Sequence, residues 1–195
     1  MLRRLARWSD TSDAGRRARR ALLANPLTAR AIGALDRRRL RRLRRAGDLR
    51  ERSKRRWRDA PPDPGLTWGG AVSGDAAVEV AEAHGAFGPG RRVVEIGPGY
   101  GRVLASCLAR GVEFERYLGL ELSERNVRHL REAFTDPRVE IRQGDAETAS
   151  LGGPADAVIS FLTFKHLYPS FEAALANLAP QLREGGLVLF DLLEG

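Results

Sequence analysis

Residues 93–102 read Val-Val-Glu-Ile-Gly-Pro-Gly-Tyr-Gly-Arg, and no other stretch of the chain restricts its fold as closely. Val93, Val94 and Ile96 make a β-branched apolar run of the kind found in buried strands, and Gly97, Gly99 and Gly101 allow the backbone to turn tightly beside a ligand. Val103, Leu104, Cys107 and Leu108 then lie on one face of a helix expected to reach Arg110 and stop at Gly111. Strand, glycine turn and helix form the first half of a nucleotide-binding βαβ unit.

The alternation continues downstream. Residues 117–122 read as a second strand that carries Glu121 near its end, where a carboxylate can accept two hydrogen bonds from a ribose diol or, more plainly, pair with an arginine. Ser123 is suited to cap a helix whose Val127, Leu130 and Phe134 make an apolar stripe, with His129 off that stripe and facing solvent. Asp136-Pro137 turns the chain into a third strand at 139–141, followed by Gln143-Gly144-Asp145-Ala146. Residues 155–161 are the fourth strand, and Phe171, Ala174, Leu175, Leu178 and Leu182 define the helix after it. Glu184-Gly185-Gly186 is expected to turn into the fifth strand at 187–192. Strands alternating with helices imply an α/β fold, a doubly wound, mainly parallel sheet with helices on both faces. Ahead of the glycine turn, Asp75 is expected to cap a helix running to His84 and Gly85.

A dinucleotide site would place a third glycine at 102, where this chain has Arg102. The glycines instead read GxGxG behind Glu95, which resembles motif I of the class I S-adenosylmethionine-dependent methyltransferases, a Rossmann-like family. The resemblance covers about residues 65–195. It rests on four ordered features: the GxGxG loop, Glu121, Asp145, and the fourth strand with the Gly-Gly stretch after its helix. It implies S-adenosyl-L-methionine as cofactor. Gly97, Pro98, Gly99 and Gly101 would approach it, Glu95 would support its amino-acid end directly or through water, and Glu121 would hold the ribose with Leu122 alongside. Asp145 would accept from the adenine amino group, with Ala146 offering its N–H and Phe161 close by. A loop and leading helix, here with Trp68 and Ser73, close over the cofactor in many relatives. Glu184 departs from the proline usual at its position, and the family normally continues past the fifth strand through a helix and a hairpin. Because this sequence ends at Gly195, the hydrophobic stretch 187–193 is expected to be an edge that belongs to a truncated domain, pairs with another chain, or is covered by the N-terminal arm.

Charge divides the chain. Residues 1–59 carry 21 Lys+Arg against 6 Asp+Glu, whereas the remainder is net acidic. Two domains are therefore expected, a basic helical arm with a Pro-rich linker over 1–63 and the cofactor-binding domain over 64–195. Within the arm, Ile32, Leu35, Leu40, Leu43 and Ala46 face one side of a helix and Arg37, Arg38, Arg41, Arg42, Arg44 and Arg45 the other. Such an arm can bind nucleic acid, lie on an anionic surface, or pack on the domain, and with Trp8 and Trp57 as its only aromatics it offers little stacking surface for bases.

For the chemistry, His166 in Phe164-Lys165-His166-Leu167-Tyr168 is the candidate catalytic base or positioning residue, with Lys165 and Tyr168 shaping the pocket. The single Cys107 reads as a small buried hydrophobe, so no disulfide, metal cluster or cysteine nucleophile is expected. The Asn-Pro-Pro-Tyr motif of many exocyclic-amine methyltransferases is replaced by Ser160-Phe161-Leu162-Thr163. The expectation is a methyltransferase for a small-molecule acceptor, cytoplasmic and without a transmembrane segment. Its rivals are an RNA methyltransferase, a nucleotide-dependent oxidoreductase, and a non-catalytic truncated domain with an RNA- or acidic-surface-binding arm.

Overall fold

The computed structural model describes residues 49–59, 74–167 and 170–192. The chain divides into two compact units, residues 1–49 and 50–195, and of the first only Leu49 is described. The amphipathic run at 32–46, the prolines at 61–64, Trp68, Ser73, Tyr168 and Leu193 lie outside the described residues. The last part of the basic arm forms helix α1, Leu49–Arg58, which from Arg50 onward belongs to the second unit. The contacts thus group this helix with the domain, ahead of the boundary expected at 63.

Five parallel strands make one sheet in the order β3-β2-β1-β4-β5. They are β1 (Arg92–Ile96), β2 (Arg116–Glu121), β3 (Val139–Gln143), β4 (Ala155–Ser160) and β5 (Leu182–Phe190). Helices α2 (Gly74–Ala83), α3 (Arg102–Ala109), α4 (Glu124–Ala133) and α5 (Glu172–Leu178) connect or flank them. Strand alternation sends neighbours to opposite faces. Val93, Tyr117, Ala157 and Ile159 join the apolar sides of α2, α3 and α4, while Val94, Ile96, Leu118, Leu120 and Val158 pack with Phe164 and α5. The strand order reverses between β1 and β4, so a crevice opens at their carboxyl ends, where open α/β sheets take their ligands.

Three local expectations change. Asp75 sits in the first turn of α2, which starts at Gly74, and its carboxylate accepts a hydrogen bond from Ser106 Oγ at 2.7 Å, tying α2 to α3. The helix expected to reach Leu182 stops at Leu178, because Pro180 turns the chain through a 3-10 segment at Ala179–Gln181. Gly185 and Gly186 do not precede β5 but form an irregularity inside it: Ala155 pairs with Leu182 and Ala157 with Leu187, so the extra residues bulge out, with Gly185 at φ 73°. Beyond the bulge Leu187 and Leu189 pack on one face of the sheet, Val188 and Phe190 on the other.

Gly101 precedes α3 with φ 82°, and a Cβ there would run into the Phe134 ring and Leu130. Both the left-handed backbone and the packing demand glycine. Gly101→Ala is expected to lower unfolding free energy by about 1–3 kcal/mol in chemical denaturation. An unchanged midpoint would show that α4 yields to the methyl group.

Candidate cofactor site

A cavity of about 220 Å³ lies at the carboxyl ends of the central strands. The glycine turn forms its floor. Gly97 and Gly99 have φ of 70° and 60°; a Cβ on Gly97 would strike Thr163, whereas one on Gly99 would meet nothing within 4 Å. Gly99 therefore presents bare backbone to open space, which allows a ligand to approach closely. Glu121 stands beside it at the end of β2, its Oε2 accepting the Gly99 N–H at 3.0 Å and its Oε1 the Ser123 N–H at 2.9 Å. Burial pushes this carboxyl above its ordinary value, while the Ser123, Gly99 and Leu122 N–H groups oppose that shift. The Asn126 side chain acts on the same carboxyl, so several donors converge on Glu121 at the edge of the cavity.

Asp145 follows β3 across the cavity from the glycine turn's strand. Its Oδ1 accepts the Glu147 N–H at 3.0 Å, and its Oδ2 lies 2.5 Å from Lys54 Nζ. Helix α1 supplies this wall. Arg50, Ser53, Lys54 and Trp57 all line the cavity, with Ser53 Oγ donating to the His166 carbonyl at 2.7 Å and the Trp57 ring 4.4 Å from the His166 ring. No apolar stripe announced these four residues, but their i, i+3, i+4, i+7 spacing puts them on one helical face.

The loop after β4 closes the remaining side. Ser160 Oγ donates to the Ile96 carbonyl at 2.9 Å and Thr163 Oγ1 to that of Gly97 at 3.2 Å, so the loop is bonded to the glycine turn. Leu162 adopts φ 66°, unusual for leucine, and its N–H is held by Asp191 Oδ1 at 2.6 Å. His166 lines the cavity; burial, with the nearby Lys165 and Arg56 charges, lowers its pKa to about 4. The ring is neutral at physiological pH and a weak base.

Of the residues expected at the site, Gly97, Pro98, Gly99, Glu121, Leu122, Asp145, Ala146, Phe161 and His166 line the cavity together. Gly101, Glu95 and Lys165 are not among its lining residues. Gly101 is required by packing under α3. Glu95 shares the sheet face of Val93, and at 2% exposure it accepts a hydrogen bond from Tyr117 Oη at 2.6 Å. It lies in the core beneath α3, so direct contact with a cofactor is not what the geometry offers. Cys107 is fully buried, its thiol pushed up to about 12, as suits a core residue.

The donors, acceptors and apolar walls of this cavity suit a nucleoside: two carboxylates on successive strand ends, bare glycine backbone, and Leu122, Ala146 and Phe161 as flanks. Residues 94–190 match the family described as a methyltransferase domain. Over these residues the chain belongs to the class I S-adenosylmethionine-dependent methyltransferases. Among curated relatives, the fatty-acid O-methyltransferase of Mycolicibacterium smegmatis is 36% identical over 102 residues, covering 52% of this chain and 36% of that protein. A phthiotriol/phenolphthiotriol dimycocerosates methyltransferase of Mycobacterium ulcerans is 31% identical over 101 residues, 52% of this chain and 37% of that one. The matched part of the chain thus spans little more than a third of these relatives. Among solved structures, the amino pentose methyltransferase CalS10 of Micromonospora echinaspora, determined with S-adenosylmethionine bound, has a TM-score of 0.53 at 27% identity, covering 64% of this chain and 53% of that one. Among the described residues, no helix is long and apolar enough to cross a membrane.

The buried Glu95 gives the domain a pH signature. Burial pushes its carboxyl from 4.5 to about 7, against the pull of Tyr117 and Arg102. The folded state therefore holds this proton more tightly than the unfolded chain. Its stabilising contribution is complete below about 4.5 and is lost as pH rises through about 7. Glu95→Gln should gain melting temperature relative to the parent between pH 5 and 8, and parallel profiles would show that Glu95 ionises as an ordinary carboxyl.

Proposed function

We propose that the chain transfers a methyl group from S-adenosylmethionine to a small-molecule acceptor with an apolar body. The observation that carries the reading is the pair of carboxylates, Glu121 and Asp145, on successive strand ends of one cavity with the glycine turn beside them. In this reading Glu121 accepts from the ribose hydroxyls and Asp145 from the adenine amino group, while Leu122, Ala146 and Phe161 flank the base. Pro98 shapes the turn, and Gly97 and Gly99 let the backbone come close. When bound, S-adenosylmethionine supplies an electrophilic methyl group on its sulfonium.

The protein's remaining task is alignment and exclusion of water. Trp57, Leu162 and Leu167 give the cavity an apolar wall near His166. With its neutral ring, His166 orients an acceptor by taking a hydrogen bond from its N–H or O–H rather than by removing a proton outright. An apolar acceptor also accords with the relatives, whose names specify a fatty acid and phthiotriol dimycocerosates.

Titration calorimetry with S-adenosylhomocysteine tests the cofactor half. Glu121→Ala should weaken binding by about 1–3 kcal/mol, the range for removing charged hydrogen bonds. Unchanged affinity would remove Glu121 from the site. The acceptor half is tested by label transfer from methyl-tritiated S-adenosylmethionine to a panel of fatty acids, long-chain phenols and amino sugars. Label in an apolar acceptor supports the reading, and label in amino sugars alone overturns it.

A further inference from the structure

Helix α1 brings one cation to the point where two carboxylates of the site meet. Lys54 Nζ lies 2.5 Å from Asp145 Oδ2 and 2.6 Å from Glu147 Oε2, with the lysine side chain 11% exposed. Arg50, one turn earlier, reaches Glu147 at 3.4 Å. Burial alone would lower the lysine pKa, but its hydrogen bonds and charge interactions with Asp145 and Glu147 outweigh that and hold it above the ordinary value, so the ammonium is retained. The second Asp145 oxygen is engaged by the Glu147 N–H. The carboxylate assigned to the adenine amino group is thus already held by a stronger donor.

We propose that Lys54 competes with the nucleoside for Asp145, that Glu147 is the second seat onto which Lys54 transfers when the nucleoside binds, and that this exchange sets cofactor affinity. The proposal rests on the reading of Asp145 given above. A hydrogen bond from an ammonium to a carboxylate carries an ion-pair attraction that one from a neutral amine lacks, so the adenine amino group displaces Lys54 only if Lys54 keeps an ionic partner. Glu147 provides it. Its side chain is 5% exposed, and Nζ touches it already, so the exchange needs no more than a small rotation of the lysine chain and strands no charge. The helix itself need not move, because Ser53 and Trp57 anchor it to His166 independently of Lys54.

The opposite role for Lys54, as a prop that holds Asp145 ready, predicts the opposite sign in one experiment. S-adenosylhomocysteine is titrated into the full 195-residue chain and into Lys54→Gln, Glu147→Gln, the double variant and Asp145→Ala, with thermal melting to establish that each is folded. Competition predicts that Lys54→Gln binds about two- to fivefold more tightly, the scale of a partly exposed ion pair. Glu147→Gln should bind more weakly by a similar factor, because Lys54 is then confined to Asp145. The double variant should return to the affinity of Lys54→Gln. Weaker or unchanged binding by folded Lys54→Gln overturns the proposal. So does a loss from Glu147→Gln that persists in the double variant, since Glu147 would then act on the ligand itself. Asp145→Ala separates the two levels: loss of affinity there with no gain in Lys54→Gln defeats only the competition, whereas unchanged affinity in Asp145→Ala defeats the adenine assignment and the competition with it.

Discussion

The site depends on one buried carboxylate. Glu121 accepts the Gly99 N–H with one oxygen and the Ser123 N–H with the other, joining the turn after β1 to the start of α4. Ser123 in turn caps α4 by accepting from the Asn126 N–H. A charged acceptor of this kind contributes roughly 1.5–3 kcal/mol per bond where water is excluded, enough to hold a glycine turn that has little side-chain packing of its own. Support of the turn thus falls on a side chain that also lines the cavity, so a change at Glu121 alters both together.

Topology supplies the rest of the cavity. Because the strand order reverses between β1 and β4, the loops after them diverge and leave a crevice that neither α3 nor α5 fills. The loop after β4 is pinned at both ends. Ser160 and Thr163 bond it to the backbone of Ile96 and Gly97, and Asp191 at the end of β5 holds Leu162 in a left-handed conformation that costs of order 1–3 kcal/mol for a side-chain-bearing residue. The edge strand β5 thus reaches the site through one carboxylate, although no residue of β5 lines the cavity.

Most of this was legible in the sequence where side-chain pattern and backbone demand coincide. Val93, Val94 and Ile96, and Val158 and Ile159 in the stretch 155–161, specified buried strands, and the acids at 121 and 145 lie at the carboxyl ends of β2 and β3, beside the cavity. Glu95 shows where motif reading needs strand parity beside it: with Val94 and Ile96 on one face, Glu95 must share the other with Val93, beneath α3. Gly101 was read as a ligand-facing glycine because the sequence cannot show the Phe134 ring that excludes a Cβ. Gly185 and Gly186 resemble a turn in one dimension, and only the register against β4 reveals a bulge. Leu162 gave no signal, since its backbone conformation is imposed by Asp191, a residue 29 positions away. Helix α1 was hidden for a different reason. The face it presents to the cavity is polar, and a search for apolar periodicity passes over Arg50, Ser53, Lys54 and Trp57.

That polar face changes what the charge asymmetry of the chain means. Read as composition, the excess of arginine and lysine before residue 60 points outward, to an anionic partner. In the structure two of those cations, Arg50 and Lys54, are directed at Asp145 and Glu147 within the domain, while Arg55, Arg56 and Arg58 remain exposed. Two neighbouring carboxylates at the rim of a small cavity would repel each other and resist burial without a cation between them. A ten-residue helix as polar as α1 is in turn marginal in water without tertiary partners. Each therefore stabilises the other. Because the bonds between them are ionic and only partly shielded, added salt weakens the hold of the helix on this side of the cavity. Helix α1 is in this respect a wall of the cavity, and the charges of Arg50 and Lys54 are met first by the carboxylates they cover.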